Sequence, residues 1–239
     1  MSEMSRRGFV PSDISDFGGE ALPTLRKAAE EICYLLDRGY PMASAVRFAG
    51  NRYQFSERQR TALTRTLSPE KSILSRRSRE VSDISGRVLC IDGFNVIIGL
   101  ETAFSRSLLF TCMDGTVRDL AGLRGSYRLI PETDPAVRAL LRSLGELGVG
   151  RTEIYLDRPV SNSGRLRERI LSLAEEEKIG FGLEVFTEDR VDTLLKSKPL
   201  VASADAVILD ECAEWFNLAR YVIKSRIGEY PYTDIVPKL

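Results

Sequence analysis

Arg87-Val-Leu-Cys-Ile91 is a short apolar run that stops at Asp92-Gly93-Phe94-Asn95. Four consecutive apolar residues closed by a turn signal suit a strand buried on both faces. Similar runs recur downstream at Thr152–Leu156, Gly182–Phe186 and Leu200–Ala202. Segments of helical spacing lie between them. The clearest has Asp134 as N-cap, Pro135 at the first helical position, then Val137, Leu140, Leu141, Leu144 and Leu147, and closes at Gly148. Helices are also expected over about 163–178, about 188–196 and from about 205, with a possible strand near Trp215–Asn217 and a final helix to about 227. Strands and helices alternating at this spacing predict βαβ units, hence an α/β fold: a three-layer α/β/α sandwich with a mainly parallel sheet.

Upstream the period changes. Leu22, Leu25, Ala29, Ile32 and Leu36 mark a helix over 21–37; Met42, Ala45, Val46 and Ala49 mark a second. Ser56 and Gln59 form a capping box for a third, running to about Leu67. The expected organisation is a flexible leader over 1–20, a small basic three-helix domain over 21–69 and a linker over 70–86. The α/β domain follows over 87–227, and a tail over 228–239. Three short helices bury too little apolar surface to stand alone, so they should dock on the rest. Leu108–Met113 and Val117–Leu120 suggest a hairpin around Asp114-Gly115.

Of the 239 residues, 34 are basic and 34 acidic, and none is histidine. That excludes a Ser-His-Asp triad, a Cys-His pair, His-ligated zinc and an imidazole base. The four cysteines, Cys33, Cys90, Cys112 and Cys212, are scattered without a C-x-x-C pair and suit core positions. The longest uncharged apolar run, Phe94–Leu100, has seven residues, far short of the roughly 18 of a membrane helix. No membrane partner is expected, and the cytoplasm is the default setting. The zero net charge hides an asymmetry: residues 1–87 carry 15 basic against 11 acidic side chains, a net of +4. Within 52–79 the balance is +6, and arginines such as Arg52, Arg58, Arg60 and Arg65 suit bidentate contact with phosphate. A polyanion partner is expected there, against the plain alternative of a solvated helix face.

Ligands bind at the carboxyl ends of strands in an open parallel sheet. Asp92 and Asp157 follow two strands directly, Asp189 and Asp192 open the helix after a third, and Asp205 follows the fourth. Two carboxylates about 4 Å apart repel by roughly 4 kcal/mol at an effective dielectric of 20. Such a cluster binds a cation or holds a proton, unless its members stand apart. Oxygen-only donors point to Mg²⁺ or Mn²⁺, and a metal held this way serves phosphodiester hydrolysis. Asp189 and Asp192, three apart on the expected helix, are both open as the third acid. Asp157-Arg158-Pro-Val-Ser161-Asn162-Ser163-Gly164-Arg165 offers a second site. A Ser- and Gly-rich helix start flanked by Arg158 and Arg165 could cradle phosphate, or Ser163 could simply be an N-cap. If the 108–120 hairpin folds over the strand ends, Arg118 or Asp119 enters the acidic site.

Val88-Leu-Cys-Ile-Asp92-Gly-Phe-Asn95 resembles the opening motif of PIN/NYN-type nucleases. Ile154-Tyr-Leu-Asp157, Asp192-Thr-Leu-Leu195 and Leu200-Val-Ala-Ser203-Ala-Asp205 are similar to their later motifs, in family order across about 87–227. The segment 101–132 departs, reading as a hairpin insertion where that family has helix. Together with the basic helical N-terminal piece, the chain also resembles an uncharacterised, mainly archaeal family joining the two parts. The resemblance implies a PIN-like sandwich, a Mg²⁺ or Mn²⁺ site and endonuclease activity, on RNA ahead of DNA. It implies Asp92, Asp157, Asp192 and Asp205 as metal-site catalytic acids, supported by Asn95 and Ser203. Two other readings stand beside it: a nucleic-acid-binding protein of this fold that does not cut, and a nucleotide or phosphate enzyme using the 161–164 loop.

Overall fold

The computed structural model describes residues 6–122 and 125–237; the first five residues of the expected leader and the last two of the tail lie outside the described residues. Helices α1 (Asp13–Asp16), α2 (Ala21–Leu36), α3 (Met42–Arg52), α4 (Glu57–Thr66) and α5 (Glu70–Arg77) precede the first strand. Then come β1 (Val88–Asp92), α6 (Gly93–Phe104), the antiparallel hairpin β2 (Leu109–Thr111) and β3 (Val117–Asp119), and α7 (Thr133–Glu146). The chain continues through β4 (Arg151–Asp157), α8 (Ser163–Glu177), β5 (Gly182–Glu188), α9 (Val191–Lys196), β6 (Val201–Ala202), α10 (Ala206–Leu209) and α11 (Leu218–Val222). A π-helical turn, Ile223–Ile227, extends α11.

The main sheet has the order β5-β4-β1-β6, with every neighbouring pair parallel. Alternate side chains leave it on opposite faces, as strand geometry requires. Leu89, Ile91, Ile154 and Leu156 enter one core with α6, α7 and α8; Cys90, Tyr155 and Val201 enter another with α9, α10 and the fully buried Trp215. Both faces are therefore covered, which makes the expected α/β/α sandwich. Because the strands are parallel, all their carboxyl ends meet at one edge. Among the described residues, no helix is long and apolar enough to cross a membrane.

The N-terminal helices share a core with the hairpin and the tail: Leu25, Ile32, Ala45 and Leu63 pack with Phe110, Met113, Leu120 and Ile235. The Ser56–Gln59 capping box forms at α4. Docking, which the small apolar area of three helices demands, thus falls on β2–β3 and brings α4 near the sheet edge.

Several local expectations change. Residues 70–86 are no plain linker, since α5 occupies 70–77. It lacks an apolar stripe, burying Ile73 and the guanidinium of Arg76, which pairs with Asp114 and Asp210 from distant parts of the chain. The described part of the leader is fastened rather than loose: Arg7 pairs with Glu101, and Asp13 with Arg58. The tail is also tied, with Ile235 fully buried and Thr233 N–H donating to the Leu109 carbonyl. Helix α6 replaces the first residues of the expected 101–132 insertion. Ten of its twelve residues are buried, so no amphipathic period marked it in the sequence. Helix α7 begins at Thr133, leaving Asp134 in its first turn. Asn162, not Ser163, stands at the cap of α8. Trp215 makes isolated bridges to Val201 and Glu80 rather than a strand.

Candidate functional site

Asp92 ends β1 and caps α6: its Oδ1 accepts from the Asn95 backbone N–H at 3.3 Å. Its Oδ2 accepts from the Ser203 hydroxyl at 2.8 Å. Ser203 Oγ in turn accepts from the Asp205 N–H at 3.0 Å, and Asn95 Oδ1 accepts from the Ala204 N–H at 2.8 Å. Asn95 and Ser203 thereby lace the loop after β6 to the end of β1. Gly93 makes the approach possible. A Cβ there would lie 2.6 Å from Leu156 Cδ2 and 2.9 Å from the Tyr155 carbonyl oxygen, closer than a side chain tolerates.

Asp157 closes β4, Asp192 lies in the first turn of α9, and Asp205 caps α10 by accepting from the Val207 N–H at 2.9 Å. All four aspartates and Asn95 line one cleft of about 250 Å³ at the carboxyl edge of the sheet. Its other walls are Phe94 and Ile98 of α6, Arg65 of α4, and Arg118, Asp119 and Ala121. The hairpin thus does fold over the strand ends. The capping bonds of Asp92 and Asp205 are ordinary helix starts; a cleft shared with Asp157 and Asp192 is not explained by capping.

The carboxyls press on one another. Burial pushes Asp92 up to about 7, against the hydrogen bonds from Ser203 and Asn95, with the Asp205 and Asp192 charges adding to the rise. Asp157 is raised by burial and then by Asp192. Asp192, exposed along its flank, is raised by lost hydration at its carboxyl and then by Asp205. Arg118 enters from the hairpin, with Nη2 3.6 Å from Asp205 Oδ1. Among the described residues no three Asp, Glu or Cys side chains close into a ready-made metal cage. The donors are nevertheless all oxygens. Mg²⁺ commonly keeps several waters and takes one or two carboxylates together with substrate phosphates, a mode these donors fit.

Other expected residues lie apart from this cleft. Asp189 precedes α9 and pairs with Arg158 at 3.2 Å. Arg190, at φ 56°, intervenes, so Asp189 and Asp192 share no helix face and Asp192 is the one in the cleft. The 161–164 loop is spent on structure. Ser161 N–H donates to the Gly125 carbonyl, Ser161 Oγ accepts from Tyr127 N–H, Asn162 Nδ2 donates to the Tyr127 carbonyl, and Ser163 Oγ to that of Arg158. A Cβ on Gly164 would meet nothing within 4 Å, so no close backbone approach requires this glycine. Arg158 also pairs with Glu188, and Arg165 is exposed on α8. Of the basic stretch, Arg58 is held by Asp13, Arg60 donates to the Phe55 and Arg47 carbonyls, and Arg52 lies against the Tyr53 ring. Arg65 alone of those four reaches the acidic cleft. The four cysteines are buried and free, and burial holds Cys33, Cys90 and Cys112 at about 12, far from thiolate chemistry.

Fold and cleft together define an α/β protein with an acidic pocket at the carboxyl edge of a parallel sheet, roofed by a hairpin that carries a helical N-terminal region. Residues 81–221, more than half of the chain, match the family described as Domain of unknown function (DUF5616), and the chain belongs to it. Residues 24–79 match a second family, Protein of unknown function (DUF434). The Uncharacterized protein MJ0935 of Methanocaldococcus jannaschii is 34% identical over 190 residues, covering 78% of this chain and 89% of its own length. No solved structure matches.

Proposed function

We propose that this protein is a divalent-cation-dependent endonuclease of the PIN/NYN type, acting on RNA ahead of DNA in a cytoplasmic setting. One observation carries the reading: Asp92 and Asp157 at the ends of β1 and β4, Asp192 in the first turn of α9 and Asp205 at the cap of α10 line a single cleft. Mg²⁺ or Mn²⁺ would be held by one or two of these carboxylates and would supply polarisation of a phosphoryl oxygen and a more acidic water. The Asp92 carboxyl, raised by burial while no cation neighbours it, would give up its proton to a bound cation and help to hold it. Asn95 and Ser203 keep that carboxylate aimed, through the bonds that lace β1 to the loop after β6. As water adds to phosphorus and releases a proton to solvent, the P–O bond to the departing ribose oxygen breaks and that oxygen takes a proton from solvent, so one phosphodiester becomes a phosphomonoester and a hydroxyl.

The test is an end-labelled RNA oligomer incubated with the full chain. Cleavage is expected with Mn²⁺ or Mg²⁺, and none with chelator or with Asp92→Asn. An oligomer left intact in both cations, or cut equally by Asp92→Asn, refutes the proposal. The Arg118–Asp205 pair favours a second reading, binding without cutting, which predicts salt-sensitive affinity and no products in either cation.

A further inference from the structure

We infer that Arg118 and Arg65 form a phosphate seat facing the aspartates, and that the nucleic-acid strand held there continues into the neighbouring basic cleft. This deepens the nuclease reading and rests on it for the identity of the strand. The seat begins with an unmet donor. The Arg118 side chain is 15% exposed and its Nε is buried with no acceptor among the described residues, whereas buried donors nearly always have one. The closest carboxylate contact of the guanidinium, Nη2 to Asp205 Oδ1 at 3.6 Å, is too long for a hydrogen bond. A phosphate oxygen entering the cleft would pair with the guanidinium of Arg118, which forms part of its wall. Without a cation on that wall, a phosphodiester would meet carboxylates alone.

Arg65 extends the seat. Its Nη1 donates to the Asp119 carbonyl at 2.7 Å, which fixes the guanidinium and leaves other N–H groups for a ligand. Arg65 lines the acidic cleft and also a second cleft of about 670 Å³, walled by Arg6, Arg7, Phe9 and Arg58. Arg7 and Arg58 are pinned by close pairs with Glu101 and Asp13, whereas Arg65 and Arg118 meet Asp119 and Asp205 only at 3.7 and 3.6 Å, so these two and Arg6 are the cations a phosphate can most readily recruit along the path. Phe9 is 38% exposed, with the Arg6 guanidinium 5.6 Å from its ring centroid, an apolar face on which a base can stack. The polyanion track therefore runs between leader and α4, not over the outer face where Arg52 lies.

The experiment measures binding of a labelled single-stranded RNA to the full chain in chelator, over a range of salt, with thermal melts to verify folding. Arg118→Gln and Arg65→Gln should each weaken binding about tenfold and lower the slope of log affinity against log salt by about one. Arg118→Lys and Arg65→Lys should retain most of the slope, which separates lost charge from a disturbed hairpin. Arg52→Gln should match the wild type. Mn²⁺ affinity, measured by electron paramagnetic resonance, should hold or tighten in Arg118→Gln because a competing cation is gone. An unchanged slope in Arg118→Gln, an equal loss in Arg52→Gln, weakened Mn²⁺ binding, or no RNA binding by the wild type would each overturn the seat. Arginine-dependent binding without cleavage in Mn²⁺ would sink the nuclease reading and leave the seat standing. Cleavage with no dependence on Arg118 or Arg65 would do the reverse.

Discussion

Asp92→Asn, a change that should abolish cleavage, should also make the cation-free protein more stable at alkaline pH. Asp92 is 6% exposed, and its carboxyl is raised from 3.8 to about 7 chiefly by burial. Between those two values the folded chain holds a proton that the unfolded chain has released. Stability therefore falls as pH rises from about 4 to about 7 and levels off above, where both states are ionised. At 1.36 kcal/mol per pH unit the whole penalty is on the order of 4 kcal/mol, and more than half of it accrues between pH 5 and pH 8. Asparagine keeps the shape and an acceptor without the charge, so its stability should lack this component. Urea unfolding of both proteins in chelator at pH 5 and pH 8 gives the difference directly. Mn²⁺ at about 100 times its dissociation constant should then return roughly 2.7 kcal/mol to the wild type and much less to the variant. A stability gap that stays constant within about 0.5 kcal/mol between the two pH values, or equal stabilisation of both proteins by Mn²⁺, would refute the reasoning that Asp92 is a buried anion awaiting a cation.

Gly93→Ala should cost about 1–3 kcal/mol, because the new methyl would press on Leu156 and the Tyr155 carbonyl. Since α6 would shift with Asn95, cleavage should fall by more than the loss of folded protein measured by circular dichroism. Arg76→Ala should cost about 3–5 kcal/mol in denaturant unfolding, since it leaves Asp114 buried without its cation. Removing both charges together, as Arg76→Met with Asp114→Asn, should recover part of that loss.

Periodic signals were legible where local pattern and final environment agree. Helices α2 and α7 bury one stripe, and β1 and β4 bury both faces, so apolar spacing marked their ends within a few residues. Helix α6 escaped because burial all round erases its period, and α5 because an ion pair rather than an apolar stripe holds it. The acids at the strand ends could be named in advance, because a parallel sheet sends every carboxyl end to one edge. The third acid could not. A single residue with positive φ, Arg190, starts α9 late and turns Asp189 outward to Arg158.

Taken alone, the sequence determined the α/β class, the absence of imidazole chemistry and the aspartates available at the strand ends, since these follow from composition and short-range period. The tertiary structure decided which charges are spent. Arg58 and the Ser161–Ser163 loop are consumed by partners remote in sequence and Arg60 by carbonyls nearer along the chain, while Arg65 and Arg118 arrive beside the carboxylates on separate elements. Whether a charged side chain is free for a ligand depends on what lies within a few ångströms, and only the packing of α4 and the hairpin over the sheet edge sets that.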